Sequence, residues 1–201
     1  FPPLVVGEGL VVLAPWHKGE EPEGRTPLYI YPGSAFGTGY HESTQIVLTL
    51  MERAALTGAS AADIGAGSGI LSIAAVKLGA RHVLARDLDP AVLSEIRHNL
   101  GLNDIPPDVV ELEQGNLLDG MTGRVDLLMA NIVMEPLLEM LPGVPGLLEE
   151  GGRALFSGLL VKERERFVGA LDEAGLAILD ELSLGDWWGV AVTKRVEEPC
   201  G

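Results

Sequence analysis

The stretch "SAADIGAGSGILSIAAVKLG", Ser60 to Gly79, decides the fold. A short apolar run, Ser60–Ile64, reads as a strand and leads into Gly65, Gly67 and Gly69. Residues 70–79 then read as a helix that Gly79 stops, a natural C-cap. Glycine lets the main chain turn sharply and lets a ligand approach it closely. Strand, glycine turn and helix suggest a nucleotide site, but the spacing is unusual. A dinucleotide fingerprint is spaced G-x-G-x-x-G, whereas this turn reads D-x-G-x-G-x-G from Asp63. A pyrophosphate is an anion that seeks bare N–H groups at a helix start. The carboxylate of Asp63 beside the turn would repel it and suits a positively charged group instead, such as an amine.

Working outward, "HVLARDLD" (82–89) reads as the next strand. It ends in Asp87, at the distance from the turn where a carboxylate accepts hydrogen bonds from both hydroxyls of a ribose. Asp89 is the N-cap of the following helix, with Pro90 in its first turn and Gly101 as its stop. A ligand with an ammonium group and a ribose but no phosphate is S-adenosylmethionine, and Asp63, Gly65, Gly67 and Asp87 are its candidate contacts.

The alternation continues downstream. "VVELEQ" and "VDLLMANI" read as strands, and "PLLEMLPGVPGLLEEGG" (136–152) as a helix interrupted by Pro142 and Pro145. "RALFSGLL" is a strand and residues 162–174 a helix stopped by Gly175. Such β-α alternation implies a parallel sheet covered by helices on both faces. The end departs from it: "LAILDELSL", Gly185-Asp186 and "WWGVAVTK" form two strands joined by a tight hairpin. The sheet should therefore carry one antiparallel strand, which a plain dinucleotide-binding fold lacks. Trp187 and Trp188 face opposite ways by strand alternation, one into the core and the other toward the pocket edge.

Upstream, Leu4–Val6 and Leu10–Leu13 flank Gly7-Glu8-Gly9 as a hairpin, residues 18–26 read as a loop, and "LYIYP" as one more strand. A second glycine-rich turn, "PGSAFGTGYHEST" (32–44), precedes a helix with Ser43 and Thr44 in its opening turn.

The composition narrows the classes. The only cysteine is Cys200, which excludes an intrachain disulfide framework and points to the cytoplasm. No run approaches a membrane span, and the four histidines form no metal-ligand spacing. The net charge of −15 disfavours nucleic acid and anionic membranes and tolerates a basic partner.

Asn131 closes the strand "VDLLMAN" at the carboxyl edge, where ligands bind in such sheets. Its side-chain oxygen could accept an N–H bond from an incoming amine and aim the nitrogen lone pair, a positioning effect. Ile132-Val133-Met134 follow it. No flat platform for a base stands there, so an aliphatic amine fits better.

Residues 63–131 resemble the class I S-adenosylmethionine-dependent methyltransferases. "PGSAFGTGYHEST", "DIGAGSGILSIAA", "DLDP" and "ANI" together resemble the PrmA family, which methylates a protein of the large ribosomal subunit. The resemblance covers almost the whole chain. It implies a Rossmann-like α/β fold with a seven-stranded, mostly parallel sheet, strand seven antiparallel and helices on both faces. It implies N-methylation of a ribosomal protein's lysine or N-terminal amine, with S-adenosylmethionine as cofactor, no metal, no direct nucleic-acid or membrane contact, and a monomer. The first glycine turn becomes a flap over the second. Thr44 would bind the methionine end of the cofactor, Gly65 would contact it through the backbone, and Asp87 would take the ribose. Asn131 would serve cofactor and acceptor, Phe36 would wall the transfer pocket, and Asn116 would reach the adenine. His41 reads as a structural loop histidine rather than a base, and Glu135 as helix-start chemistry.

The implied organisation is N-terminal strands in 1–32, a methyltransferase domain in 33–194 and a frayed tail in 195–201. The family carries a separate substrate-gripping domain before this region, and about thirty residues leave no room for one, so that domain is expected to be missing here. Two rivals stand: methylation of another amine, and a non-catalytic cofactor-binding module.

Overall fold

The computed structural model describes residues 2–33 and 41–196. In chain order the elements are β1 (Leu4–Val6), β2 (Leu10–Leu13), β3 (Thr26–Tyr29), α1 (Glu42–Glu52), β4 (Ser60–Ile64), α2 (Ile70–Lys77), β5 (His82–Asp87) and α3 (Pro90–Leu102). There follow β6 (Val110–Gln114), β7 (Val125–Asn131), α4 (Met134–Met140), α5 (Val144–Leu147), β8 (Leu148–Leu160), α6 (Arg164–Glu173), β9 (Leu176–Leu184) and β10 (Trp187–Lys194).

Seven strands form the main sheet in the order β6-β5-β4-β7-β8-β10-β9. β10 runs antiparallel to both of its neighbours, and the other pairs are parallel. The expected class I fold with a reversed seventh strand is what forms. The chain winds outward from β4 through β5 to β6, then returns to the other side of β4 at β7. A switch of this kind opens a crevice at the carboxyl ends of the two central strands. Gly65 follows β4 and Asn131 closes β7, so the topology brings both to that crevice.

The strands are apolar on both faces because helices cover both. On one face Ala61, Leu127, Met129 and Leu155 meet the side of α1, α2 and α3, through Ile46, Leu50, Ile73 and Ile96. On the other, Ile64, Leu128 and Phe156 meet Leu137, Phe167 and Leu171. Phe167 stacks edge-on against both Phe156 and Trp188. Burying one side chain of this size contributes roughly 1.5–3 kcal/mol.

The N-terminal hairpin is present, and β3 joins β2 in parallel, giving a small separate sheet of order β1-β2-β3. Its β3 edge is closed by side chains rather than by a strand. Asn103 accepts from the Tyr29 N–H at 2.9 Å and donates to the Tyr29 carbonyl at 2.7 Å, while Asn99 accepts from the Tyr31 N–H at 3.0 Å. Both asparagines are buried. One helical turn apart on α3, they mimic the ladder of a missing neighbour.

Three boundaries differ from the sequence reading. α3 does not stop at Gly101 but runs to Leu102, with Asn103 as C-cap, because Asn99 and Asn103 must share the face that holds β3. Residues 148–152 are not helical: β8 begins at Leu148, which pairs with Val125. Pro142 and Pro145 break the preceding helix into short pieces. A Cβ on Gly152 would lie 3.0 Å from the Asp126 carbonyl, so glycine there lets β8 close onto β7. The helix expected from 162 opens as a 3-10 turn, Val161–Glu163, before α6. Residues 34–40 of the first glycine-rich turn, Phe36 among them, lie outside the described residues, as do 197–201 of the tail.

Candidate functional site

The crevice is a cleft of about 650 Å³, and its lining includes Gly65, Gly67, Asp87, Asn116, Asn131 and Trp187. Its floor is the glycine turn. Gly65 has φ +72°, and a Cβ there would sit 2.7 Å from the Ile132 side chain. Both the conformation and the close approach therefore require glycine. The turn is stitched to β5: the N–H groups of Gly65 and Ala66 both donate to the Arg86 carbonyl at 2.9 Å. Gly67 donates to Asp87 Oδ2 at 3.0 Å, and Gly69 donates to the Ala66 carbonyl at 2.9 Å. These four N–H groups are occupied. A phosphate would find none of them bare, which is the physical content of the unusual glycine spacing.

Asp87 stands at the end of β5 and faces the cleft. Its second oxygen, Oδ1, accepts from the Asp89 N–H at 3.0 Å. Each oxygen thus keeps accepting capacity for a ligand hydroxyl. The expected cap is also present, since Asp89 accepts from the Ala91 N–H at 2.9 Å.

Asn131 is 9% exposed. Its amide nitrogen donates to Thr44 Oγ1 at 3.1 Å, while its carbonyl oxygen is buried without a partner. An unpaired buried acceptor costs about 1–3 kcal/mol, and here it belongs to a residue that lines the cleft. Thr44 is fully buried and does not line the cleft; its hydroxyl touches Asn131 instead. Four of the six sequence-selected residues, Gly65, Gly67, Asp87 and Asn131, therefore line one cleft, and Thr44 stands behind Asn131.

Asp63 also lies behind the wall. It is 1% exposed, with Oδ2 accepting from Ser72 Oγ at 2.7 Å and from the Ser72 N–H at 3.2 Å, and with Oδ1 unpaired. Burial pushes its carboxyl up to about 6, the Ser72 bonds oppose the shift, and the Asp87 charge adds to it. The folded protein therefore holds this proton more tightly than the unfolded chain does. The associated stability is fully present below the ordinary value of 3.8, is lost as pH rises through about 6, and stays lost at neutral pH. Asp63→Asn should remove that loss: without ligand it should melt higher than the parent at pH 8, and the difference should vanish toward pH 4. Thermal melts across that range test this, and equal melting at pH 8 would refute it.

His41, expected to be structural, is the N-cap of α1. Its Nδ1 accepts from the Ser43 N–H at 3.1 Å, and its ring meets Trp187 edge-on at 4.6 Å. Trp187 lines the cleft and Trp188 is buried, as strand alternation required. Asn116 lines the cleft as well. Glu135 lies in the first turn of α4 and pairs with Arg166 at 3.0 Å, whereas Glu139, one turn on, borders the cleft. Among the described residues no group of three or more His, Cys, Asp or Glu side chains is arranged to hold a metal, and no helix is long and apolar enough to cross a membrane. Sequence reasoning missed Ser157. It is fully buried beside Asn131 in the β7–β8 register and donates to the Ser43 carbonyl at 2.7 Å. A lone serine in an apolar strand gives no signal of such a role.

The chain is similar in sequence and fold to known methyltransferases. A family model described as ribosomal protein L11 methyltransferase (PrmA) matches residues 1–195. The ribosomal protein L11 methyltransferase of Bacillus subtilis (strain 168) is 36% identical over 201 residues, covering 96% of this chain and 62% of that protein. The chain thus spans less than two thirds of the length of that curated relative. A crystal structure of ribosomal protein L11 methylase from Lactobacillus delbrueckii subsp. bulgaricus superposes with a TM-score of 0.90 at 32% identity, covering 98% of this chain and all of that one. A putative methyltransferase, SMU.776, complexed with SAH, shares the fold at a TM-score of 0.66 and 12% identity, covering 77% of this chain and 50% of that one.

Proposed function

The chain belongs to the ribosomal protein L11 methyltransferase (PrmA) family, and from that premise we propose that it transfers methyl groups from S-adenosylmethionine to amino groups of ribosomal protein L11. The observation that carries the reading is the unpaired buried carbonyl oxygen of Asn131, a residue that lines the same cleft as Asp87 and a glycine turn with no bare N–H at Gly65, Ala66, Gly67 or Gly69. When bound, the cofactor supplies an electrophilic methyl group on a sulfonium centre. Asp87 accepts from its ribose hydroxyls, Gly65 and Gly67 pack beneath it, and the negative charge of Asp63 favours its ammonium group from behind the wall. Asn116 reaches its adenine. Asn131 accepts an N–H from the incoming neutral amine and points the nitrogen lone pair along the transfer direction. Bound S-adenosylmethionine would supply the methyl group to the amine nitrogen that Asn131 would hold, and the proton released from that nitrogen would pass to water. Thr44 holds the Asn131 amide and so contributes to the cofactor's methionine end through that residue.

An arginine acceptor fits less well. A guanidinium clamp needs two carboxylates, and Glu135 is engaged by Arg166 while Glu139 alone borders the cleft. The same reading treats 1–32 as strands packed on a catalytic domain of 33–194, acting in the cytoplasm as a monomer on a basic protein. The net charge of −15 supports the choice of protein over nucleic acid. The test is mass spectrometry of purified L11 after incubation with this chain and isotope-labelled S-adenosylmethionine. Labelled methyl groups on L11 amines are expected. Label on another amine alone would overturn the acceptor, and cofactor binding without transfer to any amine would overturn the reaction.

A further inference from the structure

The end of β7, the start of α1 and the middle of β8 are tied together by buried polar contacts that the cleft does not use directly. Ser157 of β8 stands opposite Asn131 in the strand register. Its carbonyl accepts from the Ile132 N–H at 3.1 Å, and its hydroxyl donates to the Ser43 carbonyl at 2.7 Å. Thr44, the next residue of α1, offers the oxygen that receives the Asn131 amide at 3.1 Å. Ser43, Thr44 and Ser157 are all fully buried. Glycine makes this crowding feasible: a Cβ on Gly189 of β10 would lie 3.2 Å from Ser157 Oγ and 2.6 Å from Ile46.

This arrangement has a directional consequence. An asparagine amide can rotate, and its two ends exchange roles when it does. The amide end of Asn131 donates to Thr44 Oγ1, and its oxygen end is buried without a partner. Thr44 can accept that bond only if the first turn of α1 keeps its distance from β7, and the Ser157 hydroxyl is what ties that turn to the neighbouring strand. We infer that Ser157 is a positioning residue for methyl transfer, holding the first turn of α1 so that Thr44 keeps the Asn131 side chain in place. The inference rests on the reading of Asn131 as the group that receives the amine.

The experiment is a double-mutant cycle in single-turnover methylation of purified L11, with cofactor affinity and melting temperature measured in parallel. Ser157→Ala should lower kcat by about tenfold to a hundredfold, the scale of a misplaced reacting group. KM for L11 and cofactor affinity should stay within a few-fold. In the Asn131→Ala background the same substitution should have no further effect on kcat, because the residue it acts through is gone. A structural role alone would shift the melting temperature equally in both backgrounds and leave kcat unchanged, or lower kcat by the same factor in both. Either result would sink the inference. Should Ser157→Ala fail to fold, Thr44→Val removes the oxygen that Asn131 donates to at similar volume. It should lower kcat likewise, and normal turnover would count against the inference. Depressed transfer by Asn131→Ala with normal transfer by Ser157→Ala would refute the positioning role alone. Normal transfer by Asn131→Ala would refute the functional reading as well.

Discussion

Asn131→Ala is expected to reduce the single-turnover rate of methyl transfer about a hundredfold or more, while S-adenosylmethionine affinity stays within a few-fold. The split follows from where the residue sits. The ribose site proposed at Asp87 lies at the end of β5, on the other side of the glycine turn, and does not involve the Asn131 side chain. The β7 backbone is held on both sides, by β4 and by β8, so truncating one side chain at its end should leave the strand in place. What disappears is the unpaired buried acceptor of a residue that lines the cleft and the partner of the Thr44 hydroxyl. Loss of an interaction made chiefly in the transition state lowers kcat and kcat/KM together. Asn131→Asp sharpens the test: it keeps an acceptor but cannot donate to Thr44 as the amide does, and it should recover only part of the rate. Calorimetry gives the affinity and rapid-quench methylation the rate. A rate within a few-fold of the parent would mean that the amine is held elsewhere.

What could be read from the sequence was local, and what escaped it was long-range. That Gly65, Gly67 and Asp87 would share one cleft was legible because it depends on spacing within about twenty residues of continuous chain. The terminal hairpin was legible for the same reason, although nothing in "LAILDELSL" or "WWGVAVTK" says that β10 rather than β9 enters beside β8. Asp63 was selected as a residue facing a positive charge. Its burial behind Ser72 and its raised carboxyl depend on how α2 docks, which spacing does not report. Thr44 and Asn131 meet across 87 residues, and Ser43 and Ser157 across 114. Periodicity carries no such pairing, and the sequence reading paired neither Thr44 with Asn131 nor Ser43 with Ser157. The misread boundaries have a related cause. "GLLEEGG" has the composition of a helix end, yet pairing of Leu148 with Val125 places its Leu148–Gly152 part in the sheet. In α3, two asparagines that bind β3 carry the helix past the glycine expected to stop it. In each case tertiary pairing outweighed local preference, which is worth less than about 1 kcal/mol per residue.

Asp87→Ala should have the largest effect on cofactor binding. Two hydrogen bonds from ribose hydroxyls to a carboxylate contribute roughly 1.5–3 kcal/mol each at most. The carboxylate has a second task, because Gly67 and Asp89 donate their N–H groups to its two oxygens. Truncation therefore removes the ribose contacts and also releases the glycine turn on which the cofactor rests. At least a tenfold loss of affinity is expected, and more than about a hundredfold if both consequences act fully, since 1.4 kcal/mol corresponds to about a factor of ten. The two contributions can be separated. Asp87→Asn keeps one acceptor oxygen but presents an amide nitrogen to one of the two N–H donors, so it should bind the cofactor with intermediate affinity. Adenosine, which carries the ribose without the methionine end, should lose the same factor in Asp87→Ala if the ribose contact dominates. A loss confined to S-adenosylmethionine would point instead to the released turn. Calorimetric titration of both ligands into the three proteins, with melting curves to show that each is folded, decides between them. Unchanged affinity for both ligands would remove Asp87 from the cofactor site, and with it the argument that the glycine turn and the β5 carboxylate serve one ligand.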